Sequence, residues 1–510
     1  MFADALVKWI MTRARPLITA GLAATVLAVT AAQTIPHASA ESLAGHASNS
    51  SLHRQPSDVA DRMLERHRDD VEAMRSVRPG YAFWQHIFTI PDGFVAFGSA
   101  VDGRLLATFP TRGDWVREAD WKLAELRDAL DGHRMPRDVD TRREIVSSVL
   151  MPLVGPTLSN PTRGHFLAPN AKRYGTFLRE WSAIYERFGI PPEIGLAQAL
   201  VESGFNGTRR SEARAVGFCQ WLQRNWKQLD RLAPAVIEVG NQTTQAAYCA
   251  AYLAVLGAKY GSLIPALSEH HAGGTNVGRI LINGEWLGGE DTREQYFLGA
   301  DFVRDIREIA PRQYDDLYRT YGPRSYLYAE MVFGNAFNVI NLLDSMPQTS
   351  IYGMRTRRAI PLREITRATR LSADQVKRFN PALVRRVPAN ATLYLPKHVP
   401  AFGRDVSFWH RPPNEAFTAA LADFMDLDES PLDWDEPSFA ATLERFQQRF
   451  AASQSEEGTV MAAVIAYAAS EAATSGRREI LAEFRSSSVI RATFEQAVRQ
   501  RDAALAAQQQ

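Results

Sequence analysis

The sequence predicts a mainly α-helical protein, and three observations carry that prediction. The Ala-rich run TTQAAYCAAYLAVLGAKYG, residues 243–261, is apolar at Tyr248, Tyr252, Val255 and Leu256, the spacing of a helix face. Phe177, Trp181, Ile184, Tyr185 and Phe188 share another such face, which Gly189 ends. PPEIGLAQALVES, residues 191–203, opens on two prolines and an acid suited to a first helical turn, and Gly204 follows as its natural stop.

With 510 residues, the chain has room for about three domains plus tails. The first forty residues place Lys8, Arg13 and Arg15 before the apolar run PLITAGLAATVLAVTAA, with Ala38-Ser39-Ala40 before Glu41. That order predicts a cleaved signal peptide over 1–40 and a periplasmic or secreted protein. The competing reading is an uncleaved inner-membrane anchor, although Pro16, Gly21, Gln33 and Pro36 keep the apolar stretch short of a full crossing of roughly 20 residues. Residues 41–58 are small and polar, as a linker is.

An α+β accessory region is expected over 59–160. FVAFGSAVDGRLLATFP puts two alternating apolar stretches around Asp102-Gly103, a hairpin signal. Trp115, Leu123, Leu126 and Leu130 then recur at helical spacing and predict a helix. Helices dominate the expected central domain, 165–348. A module follows over 355–400: Leu362 and Ile365 begin one short helix, Ser372 with Gln375 caps a second, Asn380-Pro381 turns the chain, and TLYLP closes as a strand. The remainder, 411–510, reads as a helical, charged region ending in a Gln-rich tail, with a solvated bundle or a frayed end expected there rather than a catalytic role.

Charge narrows the function. Lys and Arg total 58 against 57 Asp and Glu, so no global field draws the chain to nucleic acid or membrane. Cys219 and Cys249 are the only cysteines. A disulfide and two buried thiols both fit their apolar settings. His270 and His271 lack an Asp or Cys at ligand spacing, so no metal is expected, and nothing calls for a cofactor.

The candidate chemistry centres on Glu202. It ends an apolar helix, and burial there is expected to raise its pKa and keep it protonated as an acid. After Glu202-Ser203 come Phe205, Ser211, Ala215 and Gly217-Phe218-Cys219-Gln220, then SEHHAGG, residues 268–274. These residues, with YGTFLREWSAIYERFGIPPE upstream, resemble the catalytic domain of lytic transglycosylases, closest to the membrane-bound lytic transglycosylase D type. The resemblance implies a lysozyme-like all-α domain that cleaves the bond between N-acetylmuramic acid and N-acetylglucosamine in peptidoglycan. One glutamate serves as acid and then as base, a 1,6-anhydro ring closes, and no water is consumed.

Carried over residue by residue, the resemblance makes Glu202 catalytic and Ser203, Gln220, His271 and Tyr326 the residues around the sugar, with Ser203 steadying the Glu202 carboxyl or the turn and Gln220 bonding sugar or backbone. Tyr328 competes with Tyr326 for the tyrosine that contacts the glutamate. The sequence departs from the family pattern where His270 and His271 stand for Tyr and Asn, and where Cys219 stands for Met. The segment 359–396 resembles a lysin motif, a βααβ module that binds N-acetylglucosamine chains, without its opening Gly-Asp-Thr and with Arg370 for a Gly. Arg363, Arg367, Lys377, Arg378, Arg385 and Arg386 far outnumber the acids there, which suits an anionic wall or a plain solvated face. The expected partner is the peptidoglycan glycan strand. The alternative is a non-catalytic peptidoglycan-binding scaffold on the same fold, and a true hydrolase is a third reading.

Overall fold

The computed structural model describes residues 58–233, 238–309, 311–318, 320–322, 324–406, 413–427 and 437–472, with scattered positions between 486 and 495. The expected signal peptide and nearly all of the linker lie outside the described residues. The chain is mainly helical with small antiparallel sheets. Among the described residues no helix is long and apolar enough to cross a membrane.

Helices α1 (Asp58–Val77) and α2 (Trp84–Thr89) precede strands β1 (Phe94–Ser99), β2 (Leu105–Pro110) and β3 (Asp120–Trp121), followed by α3 (Val139–Val154) and β4 (Thr157–Pro161). The strands form an antiparallel sheet in the order β3-β2-β1-β4. The expected hairpin is present, and Gly103 takes a φ of +74° in its turn, a conformation that favours glycine. The helix expected through Trp115 and Leu130 does not form. Trp115, Leu126 and Leu130 all reach the sheet's core, but Leu126 does so from a single 3₁₀ turn and the other two from plain turns, with the Trp115 indole N–H donating to the Pro110 carbonyl at 2.7 Å. Burial against a sheet satisfied those side chains without a helical backbone. Helix α1 belongs elsewhere, since Val59, Met63 and Met74 pack into the large helical core.

That core is built from α4 (Ala168–Tyr174), α5 (Leu178–Arg187), α6 (Pro192–Ser203), the small hairpin β5 (Ala215–Val216) and β6 (Trp221–Leu222), α7 (Gln223–Leu232), α8 (Gln242–Tyr260), α9 (Leu263–Ala272), α10 (Gly274–Trp286), α11 (Thr292–Ile309), α12 (Pro311–Tyr318) and α13 (Tyr328–Ser345). Alanine lets neighbours close on α8 from all sides, and every residue of it but Lys259 is buried. Cys219 and Cys249 form a disulfide that ties the hairpin turn to α8.

The module comprises β7 (Tyr352–Thr356), β8 (Ile360–Pro361), α14 (Leu362–Thr369), α15 (Ala373–Phe379), β9 (Arg386–Val387), β10 (Thr392–Leu395) and β11 (Gly403–Asp405). β7 pairs antiparallel with β10, so two strands flank two helices in the order the sequence predicts, with β11 added on the other edge of β7. The Ser372–Gln375 capping box is formed. Arg355 on β7 bridges the helical body and the chain's last part, 3.0 Å from Glu238 and 3.4 Å from Glu456. Beside it the Thr244 and Tyr394 hydroxyls lie 2.5 Å apart.

The C-terminal helices α16 (Glu415–Met425), α17 (Pro437–Ala452) and α18 (Glu456–Ala472) correct the expectation of a solvated bundle. Phe417, Phe424, Phe450, Met461 and Ile465 are buried in the main core, and Tyr467 stacks on Trp221 with ring centroids 5.7 Å apart. Amphipathic helices bury against whatever apolar face is offered, and here it is α8 and the hairpin rather than one another alone.

Candidate active site

Helix α6 presents one carboxyl to solvent. Pro192 sits at its first turn with Glu193, and the left-handed Gly204 (φ 61°, ψ 39°) stops it. Glycine is doubly required there, because a Cβ would fall 2.3 Å from the Asn170 amide nitrogen. Along the helix only Val201 and Glu202 escape burial, and the Glu202 side chain is 15% exposed. The apolar run therefore does what the sequence suggested: it packs one face after another and leaves an acid at the edge.

Two further helices close on that acid. The Tyr328 hydroxyl, at the start of α13, donates to Glu202 Oε1 at 2.6 Å. From the end of α9, His271 lays its ring on that of Tyr328, centroids 4.3 Å apart and planes 10° from parallel. Its Nδ1 lies 3.9 Å from Glu202 Oε1, within ion-pair reach but beyond a hydrogen bond. Burial and the neighbouring carboxylate hold the Tyr328 phenol well above its ordinary pKa, so it remains a donor.

The charge state of Glu202 corrects the sequence-based expectation. Burial does push the carboxyl upward. The interaction with His271 and the Tyr328 hydroxyl outweigh it and hold Glu202 below its ordinary value. The protein thus keeps a carboxylate here at neutral pH, not an acid.

His270 has a different task from its neighbour. Its Nδ1 accepts from the Trp221 indole N–H at 3.3 Å, so Nε2 carries the hydrogen and donates to the Cys219 carbonyl at 2.8 Å. Burial lowers its pKa, in keeping with a neutral ring locked between those partners. His270 thereby ties the end of α9 to the hairpin turn that the disulfide anchors.

Of the residues expected around the sugar, Ser203 and Gln220 bond backbone, one of the roles the sequence left open for each, and Tyr326 does not take the role assigned to it. Ser203 is 1% exposed, with its hydroxyl 2.8 Å from the Phe218 carbonyl oxygen and 3.0 Å from that of Ala199, and so pins α6 to the hairpin. Gln220, at φ 52°, donates its amide to the Gly217 carbonyl at 2.8 Å and to that of Arg209 at 3.1 Å, which leaves only Oε1 for a ligand. Tyr326 does not meet Glu202. It sits in the 3₁₀ turn before α13, with the Arg304 guanidinium 5.5 Å from its ring centroid. Tyr328, the competitor, makes the contact.

Sequence reasoning missed Gln245. Fully buried on α8, it accepts from the Phe218 N–H at 2.7 Å and donates to the Gly207 carbonyl at 3.2 Å, so it shapes the same turn. A Cβ at Gly217, where φ is +98°, would stand 2.4 Å from its amide. A second Gln one turn after Gln242, where the Ala-rich stretch of the helix begins, was the available signal. Two other buried carboxyls are occupied structurally: Glu330, pushed up to about 7 by burial, pairs with Arg78 at 2.9 Å, and Glu193 lies 3.1 Å from His67. Among the described residues no cluster of His, Cys, Asp and Glu is arranged to hold a metal.

No protein-family model matches this chain, and no curated protein matches it closely enough to count as a relative.

Proposed function

We propose that this protein is a lytic transglycosylase of peptidoglycan, exported from the cytoplasm, with Glu202 as acid and then base on a lysozyme-like helical domain. The observation that carries the reading is the company Glu202 keeps: a largely shielded carboxyl at a helix end, bonded to a tyrosine and flanked by an imidazole. Paired-carboxylate glycosidases set a second acid about 5 Å or more away to serve as nucleophile or to activate water. Among the described residues the groups that act on Glu202 are a phenol and histidines and none is a carboxylate, which suits a single carboxyl working twice.

In the first step Glu202 gives its proton to the glycosidic oxygen as the muramyl C1–O bond breaks. In the second, the carboxylate takes the proton of the muramyl 6-hydroxyl while that oxygen bonds to C1, closing the anhydro ring. Glu202 ends protonated, as it began. A glycan lying over the exposed edge removes water from the carboxyl and raises its pKa, opposing the pull of His271. Tyr328 holds Oε1, and the other carboxyl oxygen is the one that meets the sugar.

The lowered pKa of free Glu202 favours a second reading, a binding scaffold that keeps the fold without turnover. Digestion of purified sacculi separates the two. The wild-type chain releases 1,6-anhydromuropeptides, seen by mass spectrometry, whereas Glu202→Gln pellets with sacculi and loses at least about 10²-fold in release rate. Binding without release by the wild type would establish the scaffold.

A further inference from the structure

The arginines of the 352–406 module have no role in the chemistry above. That segment holds twelve Lys and Arg against three Asp and Glu, in a chain whose net charge is +1. Ten of the twelve are arginine. Arg355 is engaged by Glu238 and Glu456, and Arg358 by Glu364. The rest form no ion pair among the described residues.

Their placement is ordered. Arg363, Arg367 and Arg370 recur at i, i+4 and i+7 along α14, which is one stripe of the helix, and all three are exposed while Ile365 and Thr369 bury the opposite side. Arg386 pairs across from Pro361, and the Arg385 carbonyl accepts the Leu362 N–H at 2.9 Å, so two more exposed arginines flank the first turn of that helix. The module docks on the helical body through β7 and β10, by way of Arg355, Thr392 and Tyr394. The α14 stripe takes no part in that contact.

Arg370 adds an independent observation. It ends α14 in the left-handed conformation, φ 61° and ψ 20°, where glycine is the favoured residue. A side chain carried there at a conformational cost points to a use for the side chain.

We propose that this arginine face docks the carboxylates of the peptide stems on wall glycan. The guanidinium fork matches a carboxylate in two parallel hydrogen bonds, which a lysine ammonium does not, and the face is arginine-rich. The choice of stem peptides as occupant rests on the proposed peptidoglycan substrate; the charge and geometry of the face do not. The module then holds the strand by its peptides, and Glu202 meets the sugar backbone.

The test uses the full-length Glu202→Gln chain, so cleavage does not enter, and measures pelleting with native sacculi and with sacculi whose carboxyls have been amidated. Phosphatidylglycerol vesicles and duplex DNA serve as parallel probes. Amidation, or the triple change R363Q/R367Q/R370Q, is expected to weaken binding about tenfold. Arg370→Gly alone is expected to weaken binding while raising the melting temperature, a pairing that loss of fold does not produce. Equal binding to amidated sacculi, or none to native sacculi, overturns the proposal. Vesicles or DNA captured as well as native sacculi, with the same arginine dependence, overturn it in favour of a phosphate surface. The result stands apart from the enzyme reading, because product release is never scored.

Discussion

Tyr328 and Glu202 meet across two helices, the phenol of α13 donating to the carboxyl of α6 at 2.6 Å. The contact fixes one carboxyl oxygen and stabilises the charged form. A hydrogen bond to a charged group contributes about 1.5–3 kcal/mol. Tyr328→Phe is therefore expected to lower kcat on sacculi about 10- to 100-fold. Tyr326→Phe, at a ring that faces Arg304, leaves kcat near wild type. Equal losses in the two variants would contradict the assignment.

The second prediction concerns His271. Its interaction pulls the Glu202 pKa down, so replacing the imidazole with a neutral amide lets that pKa rise. The proton donor then survives to higher pH. In His271→Asn the alkaline limb of the kcat profile should move upward, with Tm measured alongside to confirm that the fold persists. A limb that stays in place or moves downward means that another group sets it.

His270 yields a stability prediction with a defined sign. Its folded-state pKa lies below the ordinary histidine value of about 6.5, so below that pH the unfolded chain binds a proton that the folded chain resists. The stability present above about 6.5 is lost as pH falls from there toward the folded-state value. Thermal melts from pH 8 to 5 should show that decline, and His270→Gln, which does not titrate, should flatten it while lowering Tm overall. An unchanged slope would show that other groups dominate in that range.

Much of this site was legible because Glu202 is the lone acid at the end of an apolar helix, and a helix that buries nearly every other side chain must put that acid at an edge. The module's order was legible from local signals, its capping box and closing strand. The tyrosine was not. Residues two apart on a helix point in opposing directions, and which of Tyr326 and Tyr328 faces α6 depends on where the 3₁₀ turn gives way to α13. Nor was the ionisation of Glu202, since burial is readable from one segment, whereas His271 and Tyr328 reach it from helices far along the chain. The support that Tyr467 gives Trp221, and through it His270, is equally non-local.

One measurement bears most directly on a single carboxyl acting twice: digestion of sacculi in oxygen-18 water, followed by mass spectrometry of the released muropeptides. The account predicts anhydro products with no oxygen-18 at the muramyl end from the wild type, and none of these products from Glu202→Gln. Reducing-end muramic acid carrying the label would contradict it, because water would then have done what the muramyl 6-hydroxyl is proposed to do.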